Sequence, residues 1–418
     1  MSTNNLTYIV SAPGNNLTSR VVLPASKSIS NRVLIINALS KSVWGVKNLS
    51  DSDDTRVLEK ALEFKDNGFD IGHAGTAMRF LTALLSCTPG EWTITGSVRM
   101  KQRPIKILVD SLRKLGAHIE YLEEEGCPPL HIVGKELKGG IVELDGSVSS
   151  QYISALLMIA PSLKGGLTLK LQNRITSRSY IEMTLKLMSL FGVDHTWKHN
   201  EIRIEEQKYV PVEYFVEADW SAASYWYEIL ALSPGGSIEL TDLASSDLQG
   251  DQIIAYWFEW FGIETTSIPG GIRISKENER CPSRLFLKFH ETPDMAQTMA
   301  TLCVAKGVPF HFTGLETLKI KETNRVIALQ HELAKLGAEL TEPREGELKW
   351  NGFVDPVMEQ TYPVIETYDD HRMAMAFAPL ACSGKVFRIK DPEVVTKSYP
   401  SFWNDLLDAG FHIEIEND

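Results

Sequence analysis

The chain contains no C-x-x-C pair, and its five cysteines (Cys87, Cys127, Cys281, Cys303 and Cys382) are scattered and odd in number. That pattern excludes a zinc ribbon and a disulfide frame, and reads as buried thiols in a reducing compartment. No apolar run approaches the roughly 20 residues that span a bilayer. The start, "MSTNNLTYIVSAPG", lacks the charged head and apolar block of a signal peptide. A cytoplasmic location is the consequent expectation. Positive charge is also short: 42 Lys and Arg stand against 54 Asp and Glu, a formal net charge of −12. This argues against a general nucleic-acid or membrane-surface binder. G-x-S-x-G, Walker A and G-x-G-x-x-G motifs are all missing. Acyl hydrolysis at a nucleophile elbow, P-loop ATP use and dinucleotide binding therefore have no support.

What is present is repetition. At 418 residues the chain exceeds one comfortable core, so two domains are expected. One recurring phrase is an amphipathic helix that reaches a glycine and runs into a strand, as in "ILVDSLRKLGAHIEY" and "ALQHELAKLGAELTE". Its glycines are Gly68, Gly116, Gly192, Gly262, Gly337 and Gly410, read as left-handed helix caps. A second phrase is a polar head before a strongly apolar helix. Its six copies are "SKSISNRVLIINAL", "HAGTAMRFLTALL", "SVSSQYISALLMIA", "DWSAASYWYEILAL", "PDMAQTMATLCVA" and "DDHRMAMAFAPLA". Helices apolar all round belong in the middle of a domain, and amphipathic ones outside them. The expected architecture is α/β: two domains of three repeats each, with parallel helices buried centrally and sheets outward. The seam is expected near Val216 to Ser224, with the N-terminal strand joining the second domain. The borders read as 23–220 for one domain and 1–22 with 221–418 for the other, joined by a two-strand hinge.

Parallel central helices would open their N-termini on one face of each domain. Each start carries unpaired N–H groups and about half a positive charge, so three from each domain across a cleft would suit a multiply anionic small molecule. The side chains at these starts agree. They are Lys27, Ser28 and Arg32; Gly75, Thr76 and Arg79; Ser149, Ser150 and Gln151; Asp294; and Asp370, His371 and Arg372. The outer helices begin with Arg103, with Ser177 and Tyr180, with Lys321, Glu322 and Arg325, and with Lys397. Ser, Thr and Asp are good N-caps in their own right. Cations at a helix N-terminus are disfavoured unless an anion is brought to them, so Lys27, Arg103, Lys321, Arg325, Arg372 and Lys397 mark a phosphate or carboxylate site. Glu322, Asp294 and Lys27 are the candidates for acid–base work there, with His371 a weaker one.

Seven ordered motifs now carry a resemblance over essentially the full length: "SKSISNR", "AGTAMR", "RMKQRP", "SSQ", "KETNR", "DDHRMAM" and "TKSYPSF". The chain resembles the 5-enolpyruvylshikimate-3-phosphate synthases (3-phosphoshikimate 1-carboxyvinyltransferases). The resemblance implies a two-domain inside-out α/β barrel of threefold βαβαββ repeats. It implies transfer of the enolpyruvyl group of phosphoenolpyruvate to the 5-hydroxyl of shikimate 3-phosphate, through a tetrahedral intermediate, with no metal or cofactor. By matching position, Lys27, Ser28, Arg32, Ser149, Ser150, Gln151, Ser177, Tyr180, Asp294 and Lys321 would contact shikimate 3-phosphate. Lys27, Gly75, Arg103, Gln151, Arg325, Arg372 and Lys397 would contact phosphoenolpyruvate. Asp294 would take the 5-hydroxyl proton, and Glu322 with Lys27 would move protons at the methylene carbon. The family precedent is a monomer that binds no nucleic acid and no membrane.

Four positions depart from the family's usual residues: His73 for asparagine, Phe80 for proline, Thr317 for asparagine and Asn324 for aspartate. They bear on substrate affinity and on the response to glyphosate, and none removes a charged reacting group. His73 adds an expected pH dependence to binding. The sibling that transfers enolpyruvyl to UDP-N-acetylglucosamine typically carries a cysteine shortly before the arginine matching Arg103, and "GSVRMKQRP" has none. A non-catalytic anion- or RNA-binding repeat protein fits poorly with net charge −12 and carboxylates set among the cations. "HTWKH" (195–199) reads as a solvated loop, not a metal site, "SDSDDT" (50–55) as a helix cap, and "YWYEIL" with "YWFEWF" as core aromatics.

Overall fold

The structure is a computed structural model that describes residues 6–14, 16–356 and 362–417. The chain separates into two compact units: Ala25–Val216, here the continuous unit, and Met1–Pro24 with Glu217–Asp418, here the split unit. These borders replace the expected 22/23 and 220/221, and backbone hydrogen bonding gives the reason. Val216 N–H donates to Lys47 O within the continuous unit, whereas Ala218 N–H donates to Asp242 O and Asp219 N–H to Pro24 O within the split unit.

In the continuous unit three helices, Lys27–Ser40, Gly75–Cys87 and Ser150–Ile159, pack against one another. They are apolar on nearly every side, so burying them whole removes the most surface from water. Ile29, Ile35, Phe80, Leu81, Ile153 and Leu156 are fully buried, each such side chain contributing about 1.5–3 kcal/mol. The helices Asp53–Ala61, Lys106–Lys114 and Arg178–Leu190 flank them and bury one face only. In Lys106–Lys114, for instance, Leu108, Val109 and Leu112 are buried and Lys106 and Arg113 are exposed. The split unit repeats the scheme. Its inner helices are Trp220–Leu232, Ala296–Ala305 and His371–Phe377, the last continuing as a 3₁₀ turn over Ala378–Ser383. Its outer helices are Ile254–Glu259, Arg325–Ala334 and Phe402–Asp408. The six apolar helices of the sequence are thus the six buried ones.

The sheets of three or four strands share one plan, a parallel pair extended by antiparallel strands, while Val46–Lys47 and Tyr214–Phe215 form a separate two-stranded parallel pair. Gly90–Thr95 lies parallel to Gly68–Asp70 and antiparallel to Leu130–Gly134, which pairs antiparallel with His118–Tyr121. Lys164–Gln172 is flanked in the same way by Lys138–Asp145 and Glu201–Ile204. In the split unit Gly236–Thr241 runs parallel to Leu17–Val22 and antiparallel to Gly271–Lys276. Leu6–Ser11 lies between Phe387–Lys390 and His412–Asn417. Both N-terminal strands are therefore built into sheets of the far half of the sequence. Burial alternates along the strands, as in Glu201–Ile204, so one face of each sheet meets the helices.

Two expectations need correction. Gly116, Gly192, Gly262, Gly337 and Gly410 have φ between 76° and 96°, where a side chain is strained. Gly68 instead begins the strand Gly68–Asp70 and caps no helix, because the helix before it stops at Ala61. Among the cysteines only Cys303 is fully buried, while Cys281 is exposed. No helix among the described residues is long and apolar enough to cross a membrane.

Candidate active site

In the split unit the acidic and basic candidates fall into one ion-paired cluster. Asp294 sits in the 3₁₀ turn Pro293–Met295 that leads into the inner helix Ala296–Ala305. Its carboxylate accepts from Arg325 Nη1 at 2.8 Å and Arg372 Nη2 at 3.1 Å, with Lys321 Nζ at 3.7 Å. Arg325 opens the helix Arg325–Ala334, where Asn324 accepts from Ile327 N–H and serves as the cap. It also donates to Glu322 at 3.0 Å and to Asp370 at 2.7 Å and 3.1 Å. Glu322 accepts in turn from Lys397 Nζ at 2.7 Å. Arg372 lies in the first turn of His371–Phe377, which Asp370 caps by accepting from Arg372 N–H at 3.0 Å.

Burial sets the electrostatics of this cluster. Arg325 and Asp370 are buried, and Asp294 nearly so. Burial pushes the Asp294 carboxyl up, but Arg372, Lys321 and Arg325 together outweigh it and hold the group far below the usual carboxylate range. Lys321 is lowered by burial, against the pull of Asp294. Arg325 is raised: burial opposes its charge, and Asp370, Glu322 and Asp294 more than compensate.

The candidates of the continuous unit are held differently. Arg32, buried in the inner helix Lys27–Ser40, donates to Thr184 Oγ1 at 2.7 Å, Ser28 O at 2.8 Å, Ser154 Oγ at 3.2 Å and Tyr180 O at 3.4 Å. Its guanidinium also lies 5.4 Å from the Phe80 ring and 5.8 Å from that of Tyr180. Every partner is neutral, and burial lowers Arg32 to about 10. Lys27 Nζ is 3.6 Å from Asp54. Ser149 caps the helix Ser150–Ile159 by accepting from Gln151 N–H, and Gln151 Nε2 donates to Thr76 Oγ1 at 3.2 Å. Ser177 stands at the N-cap position of Arg178–Leu190 in a left-handed backbone with φ 53°, without a side-chain capping bond. Gly75 is where the Arg103 guanidinium comes closest to the backbone: a Cβ there would stand 2.6 Å from Arg103 Nη1 and would displace it. Arg79 is buried under Gly75, donating to its carbonyl and to Pro104 O, both at 3.1 Å. His73 is exposed, its Nδ1 3.1 Å from Ser97 Oγ.

A model of the family EPSP synthase (3-phosphoshikimate 1-carboxyvinyltransferase) matches residues 11–64 and 58–406. The chain belongs to the EPSP synthase family. It is 53% identical over 409 residues to the 3-phosphoshikimate 1-carboxyvinyltransferase of Bacteroides fragilis (strain YCH46), covering 98% of this chain and 99% of that one. To the enzyme of the same name from Vibrio atlanticus (strain LGP32) it is 37% identical, covering 94% and 97%. Its fold is similar to that of EPSP synthase from Acinetobacter baumannii, with a TM-score of 0.77 over 99% of this chain and 100% of that one, at 21% identity.

For an EPSP synthase family member, several residues at these sites went unseen in the sequence. Asp54 lies in "SDSDDT", which reads as a cap, yet its carboxylate reaches Lys27. Tyr225 reads as a core aromatic, and its hydroxyl accepts from Arg372 Nη1 at 3.3 Å. Asp370 is the principal partner of Arg325, where the sequence indicates only a helix start. Asp251 carries no sequence signal at all. It is hydrogen-bonded by Ser221, whose Oγ is 3.4 Å from Arg372 Nη2, and burial with the nearby Asp294 charge raises it to about 7. The family departures also have structural settings. Phe80 packs under Arg32, Asn324 caps a helix, and Thr317 Oγ1 is buried without a hydrogen-bond partner among the described residues. His371 is buried, its Nδ1 3.7 Å from Asp370. No group of three or more His, Cys, Asp or Glu among the described residues is placed to hold a metal ion.

Proposed function

We propose that this EPSP synthase family chain transfers the enolpyruvyl group of phosphoenolpyruvate to the 5-hydroxyl of shikimate 3-phosphate, releasing phosphate. The observation that carries the reading is Asp294, an ionised carboxylate clamped by Arg325, Arg372 and Lys321 at the mouth of an inner helix. A carboxylate so paired is a poor base while the pairs last. The carboxylate and phosphate of the substrates compete for the same cations, and each pair they take over returns basicity to Asp294.

The assignments follow the sequence. Asp294 takes the proton of the 5-hydroxyl as its oxygen bonds to C2 of phosphoenolpyruvate. The methylene carbon gains a proton to become methyl, which completes the tetrahedral adduct. Loss of phosphate from C2 and of one methyl proton then restores the enol ether. Glu322 and Lys27 serve these two proton transfers at carbon. Arg103, Arg325, Arg372 and Lys397, with Gly75 and Gln151, bind phosphoenolpyruvate. Ser28, Arg32, Ser149, Ser150, Gln151, Ser177, Tyr180 and Lys321 bind shikimate 3-phosphate. The protein acts as a cytoplasmic monomer, with the two chain crossings at 24/25 and 216/217 serving as a hinge.

The test is phosphate release from phosphoenolpyruvate, run with shikimate 3-phosphate and separately with UDP-N-acetylglucosamine. Release only with the first is expected. Release only with the second would reassign the chain to the sibling transferase, and release with neither would end the enzymatic reading.

A further inference from the structure

Beyond the charged cluster, the split unit contains a second buried carboxylate with a full set of partners. Glu332 lies two turns along the helix that Arg325 opens, and it is fully buried. It accepts from Lys335 Nζ at 2.6 Å, from the backbone N–H of Glu366 at 3.0 Å and from Tyr368 Oη at 2.7 Å. Lys335 Nζ also donates to Val364 O at 2.7 Å. Three of these contacts hold the segment that leads into Asp370. That segment contains two consecutive non-glycine residues in the left-handed region, Tyr368 at φ 56° and Asp369 at φ 55°. A bulky aromatic residue does not stay there unaided.

At its far end the same segment delivers Asp370 to Arg325 and caps the helix of Arg372. One helix therefore grips one segment twice, through Arg325 and Asp370 at one end and Glu332 at the other. Burial and the Glu332 carboxylate raise the Tyr368 phenol, so it remains a donor throughout the working pH range.

We infer that Glu332 is a positioning residue for phosphoenolpyruvate binding: through Tyr368 and the Glu366 amide it holds the 366–370 turn that sets Asp370, and thereby the two arginines. This rests on the assignment of Arg325 and Arg372 to phosphoenolpyruvate made above.

The test uses the full chain with Tyr368→Phe, which deletes one hydroxyl, and Glu332→Gln, which exchanges an acceptor for a donor. Two readouts are taken: amide hydrogen exchange over residues 368–373, and KM for each substrate separately. Faster exchange is expected, with KM for phosphoenolpyruvate raised about tenfold and KM for shikimate 3-phosphate and kcat held within about twofold. Lys335→Met, which removes the partly buried partner that also reaches Val364 but leaves the contacts of Glu332 to Tyr368 and the Glu366 amide in place, should lower thermal stability without this selective effect.

Unaltered exchange in Tyr368→Phe overturns the clamp alone. A parallel rise of both KM values, or faster exchange with no change in KM, overturns its role in binding. An Arg372→Gln enzyme with unaltered KM for phosphoenolpyruvate overturns the underlying assignment, and the functional half of the clamp with it.

Discussion

The two units handle buried positive charge in opposite ways. In the split unit Arg325 and Arg372 are neutralised by carboxylates of the protein itself, Asp294, Asp370 and Glu322. In the continuous unit Arg32 is satisfied by hydroxyl and carbonyl oxygens and by two aromatic faces, with no countercharge among the described residues. Hydrogen bonds of either kind fix a guanidinium in place. Only the second arrangement leaves its full charge for an incoming anion, and it does so at the expense of desolvation. Under the proposed function, the split unit exchanges partners on binding and the continuous unit receives one.

The largest effect that sharpens this contrast is expected from Asp294→Asn. Phosphate release should fall by about 10²–10⁴-fold. Thermal stability should fall by an amount on the order of 3 kcal/mol, since a partner is withdrawn from buried cations. Turnover within tenfold of the parent would end the role of Asp294 as base. Arg32→Met should weaken shikimate 3-phosphate binding by about 10²-fold, yet leave stability unchanged or raised, because an uncompensated buried charge is removed. If it destabilised the chain as much as Asp294→Asn does, the contrast between the units would be wrong.

The pH dependence has two signs within the split unit. Asp294 is held below its unfolded value, so its contribution to stability is present above the usual carboxylate range and lost only in strong acid. Asp251 is raised to about 7, so its contribution is present below the unfolded value near 4 and lost as pH rises through about 7. Melting curves of Asp251→Asn and the parent should therefore diverge between those limits, the parent losing stability relative to the variant as pH rises. Parallel curves would remove Asp251 from the account.

Smaller effects are expected at the loop-to-helix junction of the continuous unit. Gly75→Ala forces the Arg103 guanidinium aside, since a Cβ would stand 2.6 Å from Nη1. The end of a flexible side chain can move, so KM for phosphoenolpyruvate should rise while stability changes by under about 1 kcal/mol. His73→Asn removes one exposed contact to Ser97 and should change stability by no more than about 0.5 kcal/mol. A phosphoenolpyruvate KM whose pH profile is identical in parent and variant would dismiss the expected pH dependence.

The repeats were legible because burial leaves its mark on composition. A helix such as "SQYISALLMI" has no polar face to show water, so its place in the core follows from its residues. The cationic helix starts were legible for a related reason, because Arg325 or Arg372 at that position needs an anion close by. Local order did not reveal the partners. Asp54 and Lys27 are 27 positions apart, Arg325 and Asp370 45 apart. Gly68 follows an amphipathic stretch as the other five glycines do, but its helix ends earlier and the chain enters a strand there.

The sequence by itself determined the six-fold helix pattern and the division of the chain into two units, since each depends on residue type and spacing along the chain. Tertiary structure decided which carboxylate neutralises which cation, that Arg32 meets neutral oxygens, and that Asp251 lies near Asp294. Those are matters of burial and of distances a few ångströms across. At that range desolvation and Coulomb terms of several kcal/mol oppose each other, and position along the chain does not say which prevails.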